Sequence, residues 1–426
     1  MGTAPPKTPP ITFDFDGRPI AAERGEPVGV ALLRAGIWTL ARSVKYHRPR
    51  GLFCLAGHCG NCLVRANGEP DRLACRIPAE EGLEISTQNA LPSAERDLLR
   101  AIDWAFPHGM NPHEMLTGVP IAQDVMAAVA RRLAGLGELP GAARELEPTV
   151  PEIRTPVALV GQGRAGRRVA SALADRAVPF LAFEGDPFAE PGGAEGWPGS
   201  LALGLYLDGG RPLLAVRRGE QIVRVRPDRI VLCTGSRDQP PSFEGNDLPG
   251  VVGGRAARRL VERHGLLPAR SALVVGEGPE SGPAAKALAA AGAQVTRVGD
   301  GSSGRSIVRA IGGRRVRGAI LEDAQPSGAP VDATPALEPG ARPGQLRWKG
   351  ELIVAAGPRA SAFELGAQAG ARVLAQGARG FPIEVDDRGR TNIPWLSAAG
   401  SCTTSALSLD EQAERIAASL GTNGAG

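Results

Sequence analysis

Four of the six cysteines fall between Cys54 and Cys75, while Cys233 and Cys402 stand alone. The stretch "CLAGHCGNC" has the spacing C-x4-C-x2-C, and Cys75 in "DRLAC" follows after twelve further residues. Three thiolates from one tight loop and a fourth from elsewhere can enclose two irons, provided the backbone folds closely around the inorganic sulfides. This is a spacing of [2Fe–2S] sites. Gly57 and Gly60 give the loop its freedom, since a side chain at either would obstruct the turn or the approach to the cluster. Cys54, Cys59, Cys62 and Cys75 are therefore the candidate iron ligands. Zinc is the alternative, but zinc sites usually pair two short knuckles, and Cys75 has no neighbouring CxxC partner. Disulfides belong to oxidising compartments, and "MGTAPPKTPP" has no apolar run of the kind an export signal needs. The expected setting is reducing and cytoplasmic.

Such a loop needs a scaffold. "ITFDFDGRPIAAE" reads as a hairpin turning at Asp16-Gly17, "PVGVALLRAGI" as a short amphipathic helix, "CLVRANGEPDRLAC" as a second hairpin and "LEIST" as a last short strand. Strand pairs with one helix and a cysteine loop resemble the β-grasp of ferredoxins.

A second chemistry begins in "PVALVGQGRAGRRVASALADRAVPFLAFEGD", where the order is strand, glycine turn, helix, strand, acid. Gly161, Gly163 and Gly166 form a full G-x-G-x-x-G. The first makes the turn, the second lets backbone N–H groups approach a pyrophosphate, and the third lets helix and strand pack. Glu184 is placed to accept hydrogen bonds from an adenosine ribose. The pattern recurs in "SALVVGEGPESGPAAKALAAAGAQVTRVGD", with Gly276, Gly278 and Gly282. There the third glycine comes one position late, Ser281 holds the usual place, and Asp300 is the corresponding acid. This copy is read as a second fold, either occupied or merely structural. The passages "RIVLCTGSRD", with Gly235, and "ELIVAAGPRASAFELG" are strand-to-glycine links between such domains, and "NIPWLSAAGSCTT", with Gly400, closes the series.

With "ARSVKYHRPRG", "LPSAERDLLRAIDWAFPHGMNPHEMLTG" and "FEGNDLPGVVGG", these motifs resemble the alpha-subunit family of heterotetrameric sarcosine oxidase. Its relatives include subunits of opine oxidases, dye-linked proline dehydrogenases and hydrogen cyanide synthase. The resemblance implies a ferredoxin-like region joined to a two-dinucleotide fold of the pyridine-nucleotide-disulfide type. It also implies a separate flavin-bearing subunit that oxidises an amine. It assigns the four cysteines to the cluster and Gly161, Gly163, Gly166 and Glu184 to an adenine-containing cofactor, most naturally FAD. The family's terminal "GD" is Gly400-Ser401 here, so one flavin-contacting carboxylate is replaced by a hydroxyl. Sarcosine oxidase alpha chains continue into a folate-binding-type domain, and the end of this sequence soon after its flavin-like strand favours a dehydrogenase-like relative.

The 426 residues suggest about two to four domains. The fold expected is mixed α/β and α+β: a β-grasp ferredoxin-like domain over 1–90, a helical connector over 91–150, and a two-dinucleotide-binding Rossmann-like oxidoreductase fold. In that fold, 151–246 and 351–426 build the FAD-type domain, with the NAD(P)-type domain, 247–350, inserted between them. A net charge of +4 predicts no nucleic-acid partner, and no apolar stretch approaches the roughly 20 residues of a membrane span. The five histidines, among them His47, His58, His108 and His113, form no metal-ligand pattern and are expected to pack or cap. "KYHRPRG" is a basic run, read as a solvated face or as a docking point for a partner or a phosphate. No catalytic acid, base or CxxC redox pair stands out, so catalytic residues are left unassigned. The leading reading is the electron-transfer subunit of a flavin-dependent amine or amino-acid dehydrogenase, working with a catalytic partner and an electron acceptor. The alternatives are a self-contained NAD(P)H-dependent reductase, with NAD(P) or another adenine nucleotide in the second fold, and a cluster-bearing scaffold with degenerate nucleotide sites.

Overall fold

The computed structural model describes residues 10–43, 46–90, 93–98, 150–189, 196–299, 304–323, 337–339 and 344–421. The predicted connector helices, His108, His113 and Asp300 lie outside them. The chain divides into two compact units, Met1–Ala142 with Pro240–Gly357, and Ala143–Gln239 with Pro358–Gly426.

The first unit opens with a five-stranded sheet in the order Arg18–Glu23, Pro10–Phe15, Glu84–Ser86, Leu63–Ala66, Glu69–Leu73. Its first hairpin turns where expected: Asp16 and Gly17 have φ of 51° and 77°, and Asp14 Oδ1 accepts the Gly17 N–H at 2.8 Å. Alternation places Ile11, Phe13 and Phe15 on the inner face. Helix Val28–Arg34 covers that face, but it has no solvent stripe of the kind an amphipathic helix shows, since every residue except Arg34 is buried. The reason is a continuous apolar core that joins Phe13, Leu32 and Ile85 to Ala256, Leu260 and Leu288 of the inserted domain.

That inserted domain has a parallel sheet ordered Val251–Gly253, Leu352–Ala355, Ser271–Val275, Gln294–Val298, with helices Gly254–Glu262 and Ser281–Ala290. An antiparallel sheet follows, built from Arg305–Gly312, Val316–Asp323, Gln345–Lys349 and Leu337–Pro339.

In the second unit the strand order is Gly196–Pro198, Phe180–Glu184, Glu152–Val160, Gln221–Leu232, Arg211–Arg218, Ser200–Asp208. Glu152–Val160 is parallel to both of its neighbours. Leu396–Ala398 returns from far along the chain to lie parallel beside Ile230–Leu232. Helices Arg164–Asp175 and Leu409–Gly421 pack together on one face through Val169, Leu173, Ala413 and Ile416. The architecture is thus a β-grasp domain followed by two Rossmann-like domains, one inserted in the other.

Candidate cluster and nucleotide sites

The cysteine loop follows strand Pro49–Arg50, which pairs with Ala41–Arg42 in a small two-stranded sheet, and enters the five-stranded sheet at Leu63. Cys54, Cys62 and Cys75 are buried, Cys59 is half-buried and His58 is exposed. All six cysteines are free thiols. Leu55, Gly57 and Gly60 adopt φ of 47°, 74° and 65°, so the loop coils tightly. For the buried leucine that conformation carries a strain of about 1–3 kcal/mol. A Cβ at Gly57 would lie 2.9 Å from the Arg76 side chain, so glycine there admits the guanidinium beside the loop. The backbone N–H groups of Ala56 and His58 point at Cys54 Sγ, at 3.4 and 3.3 Å.

The thiols meet in pairs, Cys54 with Cys59 and with Cys75, and Cys62 with Cys75. Hydrogen bonds from Cys59 and Cys75 hold Cys54 well below the ordinary thiol range, and the one from Cys75 lowers Cys62. Cys59 and Cys75, as the donors, are pushed up. Among the described residues no three His, Cys, Asp or Glu side chains close around one point as a single ion would need. Four convergent thiols with backbone N–H groups aimed at sulfur suit a cluster with bridging sulfides.

In the second unit the first glycine turn divides its labour as the sequence implies. Gly161 has φ 96°, and a Cβ there would sit 2.4 Å from the Cys233 carbonyl oxygen. A Cβ at Gly166 would sit 1.9 Å from the Gly161 carbonyl oxygen, whereas one at Gly163 meets nothing within 4 Å. The open side of the turn is therefore at Gly163, which caps helix Arg164–Asp175, where unpaired N–H groups favour an anion. Arg164, Arg167, Arg168, Leu409 and Asp410 line a cavity of about 380 Å³ at that helix start.

Glu184 ends the next strand and does a job the sequence does not announce. Its Oε2 accepts the Gln162 N–H at 2.7 Å and its Oε1 the Asp186 N–H at 2.8 Å, so it braces the turn. A carboxylate has about four acceptor positions, so two remain for ribose hydroxyls. Gly400 closes on the same turn, its φ 84° and its Cβ position 2.7 Å from Ala165 Cβ. Gly235 lies beside it: a Cβ there would be 3.9 Å from Ser401 Oγ, which is itself 3.2 Å from Ser236 Oγ. Gly161, Gly163, Gly166, Glu184, Gly235 and Gly400 are thus gathered around one cradle, which fits a dinucleotide.

The second glycine turn, in the first unit, differs. Gly276 has φ 108°, and a Cβ at Gly278 would lie 1.7 Å from the Gly357 carbonyl oxygen. This second glycine packs on backbone instead of facing open space. A Cβ at Gly282 would meet nothing within 4 Å, so Gly282 does not make the close helix contact of a third glycine. Ser281 is the buried position, and its Oγ has no hydrogen-bond partner among the described residues. Glu280 sits buried at the helix start, paired with Arg258 at 3.0 Å. Neither this ion pair nor Arg76 beside the cysteine loop has a local sequence signature.

Comparison with known proteins agrees with this geometry. Residues 8–90 match the family described as a 2Fe-2S iron-sulfur cluster binding domain. Over 79 residues the chain is 35% identical to hydrogen cyanide synthase subunit HcnA of Pseudomonas aeruginosa, covering 18% of this chain and 75% of that protein. Over 363 residues it is 28% identical to sarcosine oxidase subunit alpha of Rhizobium meliloti, covering 73% of this chain and 36% of the relative. The chain belongs to the family that includes hydrogen cyanide synthase subunit HcnA and the sarcosine oxidase alpha subunits. It spans little more than a third of the length of the Rhizobium meliloti relative. Its fold is similar to that of the crystal structure of L-proline dehydrogenase from P. horikoshii, with a TM-score of 0.69 at 18% identity over 98% of this chain and 74% of that one. The 2Fe-2S binding domain of this family member is the β-grasp domain that carries the four cysteines.

Proposed function

We propose that the chain is an iron–sulfur flavoprotein subunit of an oxidoreductase acting on an amine or amino acid of the sarcosine, proline or opine type. In this reading it serves electron transfer, and a flavin-bearing partner subunit removes the hydride. The observation that carries the reading is the presence, in one chain, of four convergent thiols and an open glycine turn braced by Glu184. Cys54, Cys59, Cys62 and Cys75 would hold the cluster, and Gly161, Gly163, Gly166, Glu184, Gly235 and Gly400 the FAD. When bound, the cluster supplies one-electron chemistry and the flavin two-electron chemistry. Gly163 leaves room for the pyrophosphate, Glu184 fixes the turn and retains acceptors for ribose, and the Ser401 hydroxyl stands where a relative has a carboxylate. Domain limits at 1–90, 91–150, 151–246, 247–350 and 351–426 belong to the same proposal.

Grouped free thiols support a reducing, cytoplasmic setting. No described helix is long and apolar enough to cross a membrane.

Iron, acid-labile sulfide and releasable flavin per chain, measured after anaerobic purification, test this reading. Two irons, two sulfides and one flavin are expected. Iron without flavin would move the flavin chemistry wholly onto a partner and leave a cluster-bearing scaffold.

A second reading, an NAD(P)H-dependent reductase, is favoured by the unpartnered Ser281 hydroxyl at the second helix start. Rapid bleaching of the flavin by NADH or NADPH would support it, and no response would remove it.

A further inference from the structure

We propose that Arg259 is a positioning residue for the iron–sulfur site, acting on Cys54 through the Leu55–Ala56 peptide. Arg259 lies in the last turn of helix Gly254–Glu262, and its Nη1 donates to the Leu55 carbonyl oxygen at 2.8 Å, a contact spanning 204 residues of sequence. The N–H of that same peptide unit belongs to Ala56, and it is directed at Cys54 Sγ at 3.4 Å. A trans peptide is planar, with its C=O and N–H pointing opposite ways, so fixing one end fixes the other. The guanidinium therefore sets the direction of a hydrogen bond to a ligand sulfur without touching the sulfur.

Two further features make this more than a chance contact. Leu55 has φ 47°, a left-handed conformation that a branched apolar side chain does not hold without external support. Arg259 is bonded directly to the residue that adopts it. On the other side of Cys54, the Phe53 carbonyl accepts the Gly253 N–H at 2.9 Å. The Phe53–Cys54 peptide and the Leu55–Ala56 peptide, one residue beyond Cys54, are thus both pinned by one segment, Gly253 to Arg259, of the inserted domain. That domain acts as an outer support for the cluster loop, in addition to whatever nucleotide it holds.

The electrical consequence has a definite sign. Hydrogen bonds to cluster sulfurs and the local net charge set the potential of such sites. Reduction adds negative charge, which an oriented N–H and a nearby guanidinium both stabilise. Arg259 therefore raises the cluster potential.

The inference rests on the reading of Cys54 as a cluster ligand, and the test separates the two. Full-length wild type, Arg259→Met, Arg259→Lys and the charge control Lys286→Met, an exposed residue of the other helix, are purified anaerobically. Iron and sulfide are counted, and each cluster is titrated against potential by its EPR signal. In Arg259→Met the expected result is a full cluster whose reduced-to-oxidised ratio at fixed potential falls about tenfold, equivalent to about 59 mV for one electron. Arg259→Lys recovers most of that shift, and Lys286→Met shows none. An unshifted potential in Arg259→Met, or an equal shift in Lys286→Met, overturns the proposal. If the methionine variant loses its iron, Arg259→Gln, neutral but still a donor, takes its place under the same criterion. A wild-type chain without iron would sink the cluster assignment itself.

Discussion

Gly163 and Gly166 belong to one turn yet face opposite surroundings: a Cβ at Gly166 would lie 1.9 Å from the Gly161 carbonyl oxygen, while one at Gly163 meets nothing within 4 Å. Gly166 is a packing glycine, and Gly163 borders open space. Gly166→Ala should therefore destabilise the second unit by about 1–3 kcal/mol or more, seen as a lower melting temperature. Gly163→Val should melt like wild type but lose bound flavin at least tenfold. Equal flavin content in Gly163→Val and wild type would place the dinucleotide elsewhere.

Each cysteine of the loop should be separately required for the metal. Cys54→Ser, Cys59→Ser, Cys62→Ser and Cys75→Ser should each lower iron and labile sulfide by more than half and remove the visible absorption of the cluster. Cys233→Ser and Cys402→Ser should not, because both thiols lie fully buried in the second unit, where burial pushes them up and away from ligand chemistry. Iron retained in Cys75→Ser would exclude it as the fourth ligand.

Ser401 offers a gain-of-function test. Its Oγ lies 3.2 Å from Ser236 Oγ, so an introduced carboxylate has a donor beside it. Ser401→Asp should tighten flavin about tenfold, within the range of one charge-assisted hydrogen bond, read by fluorescence as flavin is released on dilution. Unchanged or weaker retention would show that this position does not meet the flavin.

The β-grasp domain should carry a pH signature from Glu26. Burial raises its pKa above the ordinary 4.5, against the lowering effects of the Glu23 N–H and Arg34. A raised carboxyl binds its proton more tightly folded than unfolded, so stability falls as pH rises from about 4.5 through the folded value. Glu26→Gln removes that slope and keeps an acceptor for the Glu23 N–H. Melting curves of the two proteins should diverge in shape across this window and run parallel well above it. Parallel curves throughout would mean that Glu26 does not titrate on unfolding.

What could be read beforehand was local. Asp16-Gly17 and Asn67-Gly68 announce hairpins because few residues tolerate positive φ, and both pairs adopt it, at 51° and 77° and at 47° and 81°. The cysteine spacing and the first glycine motif are equally short-range. The antiparallel strands Ser200–Asp208 and Arg211–Arg218 also carried a signal, Asp208-Gly209-Gly210 between apolar runs, which a search for motifs passes over. The burial of helix Val28–Arg34 on all sides could not be read, because its cover comes from residues beyond 250. The same holds for Arg259 and Leu55, and for Gly278, whose close neighbour is Gly357. Such contacts depend on tertiary packing, which leaves no periodic trace in the sequence.

The strand Leu396–Ala398 has a consequence for synthesis on the ribosome. Just beyond it, Cys402 Sγ meets the Leu232 carbonyl oxygen across 170 residues of chain. At ordinary elongation speeds the sheet around Ile230–Leu232 waits about 10 to 30 s for that neighbour to emerge. During that interval Val231 and Leu232, wholly buried in the finished protein, have one flank bare. The second unit, although its strand from Glu152 emerges before the inserted domain, is then the later to mature, and its newborn form is the one a chaperone would meet.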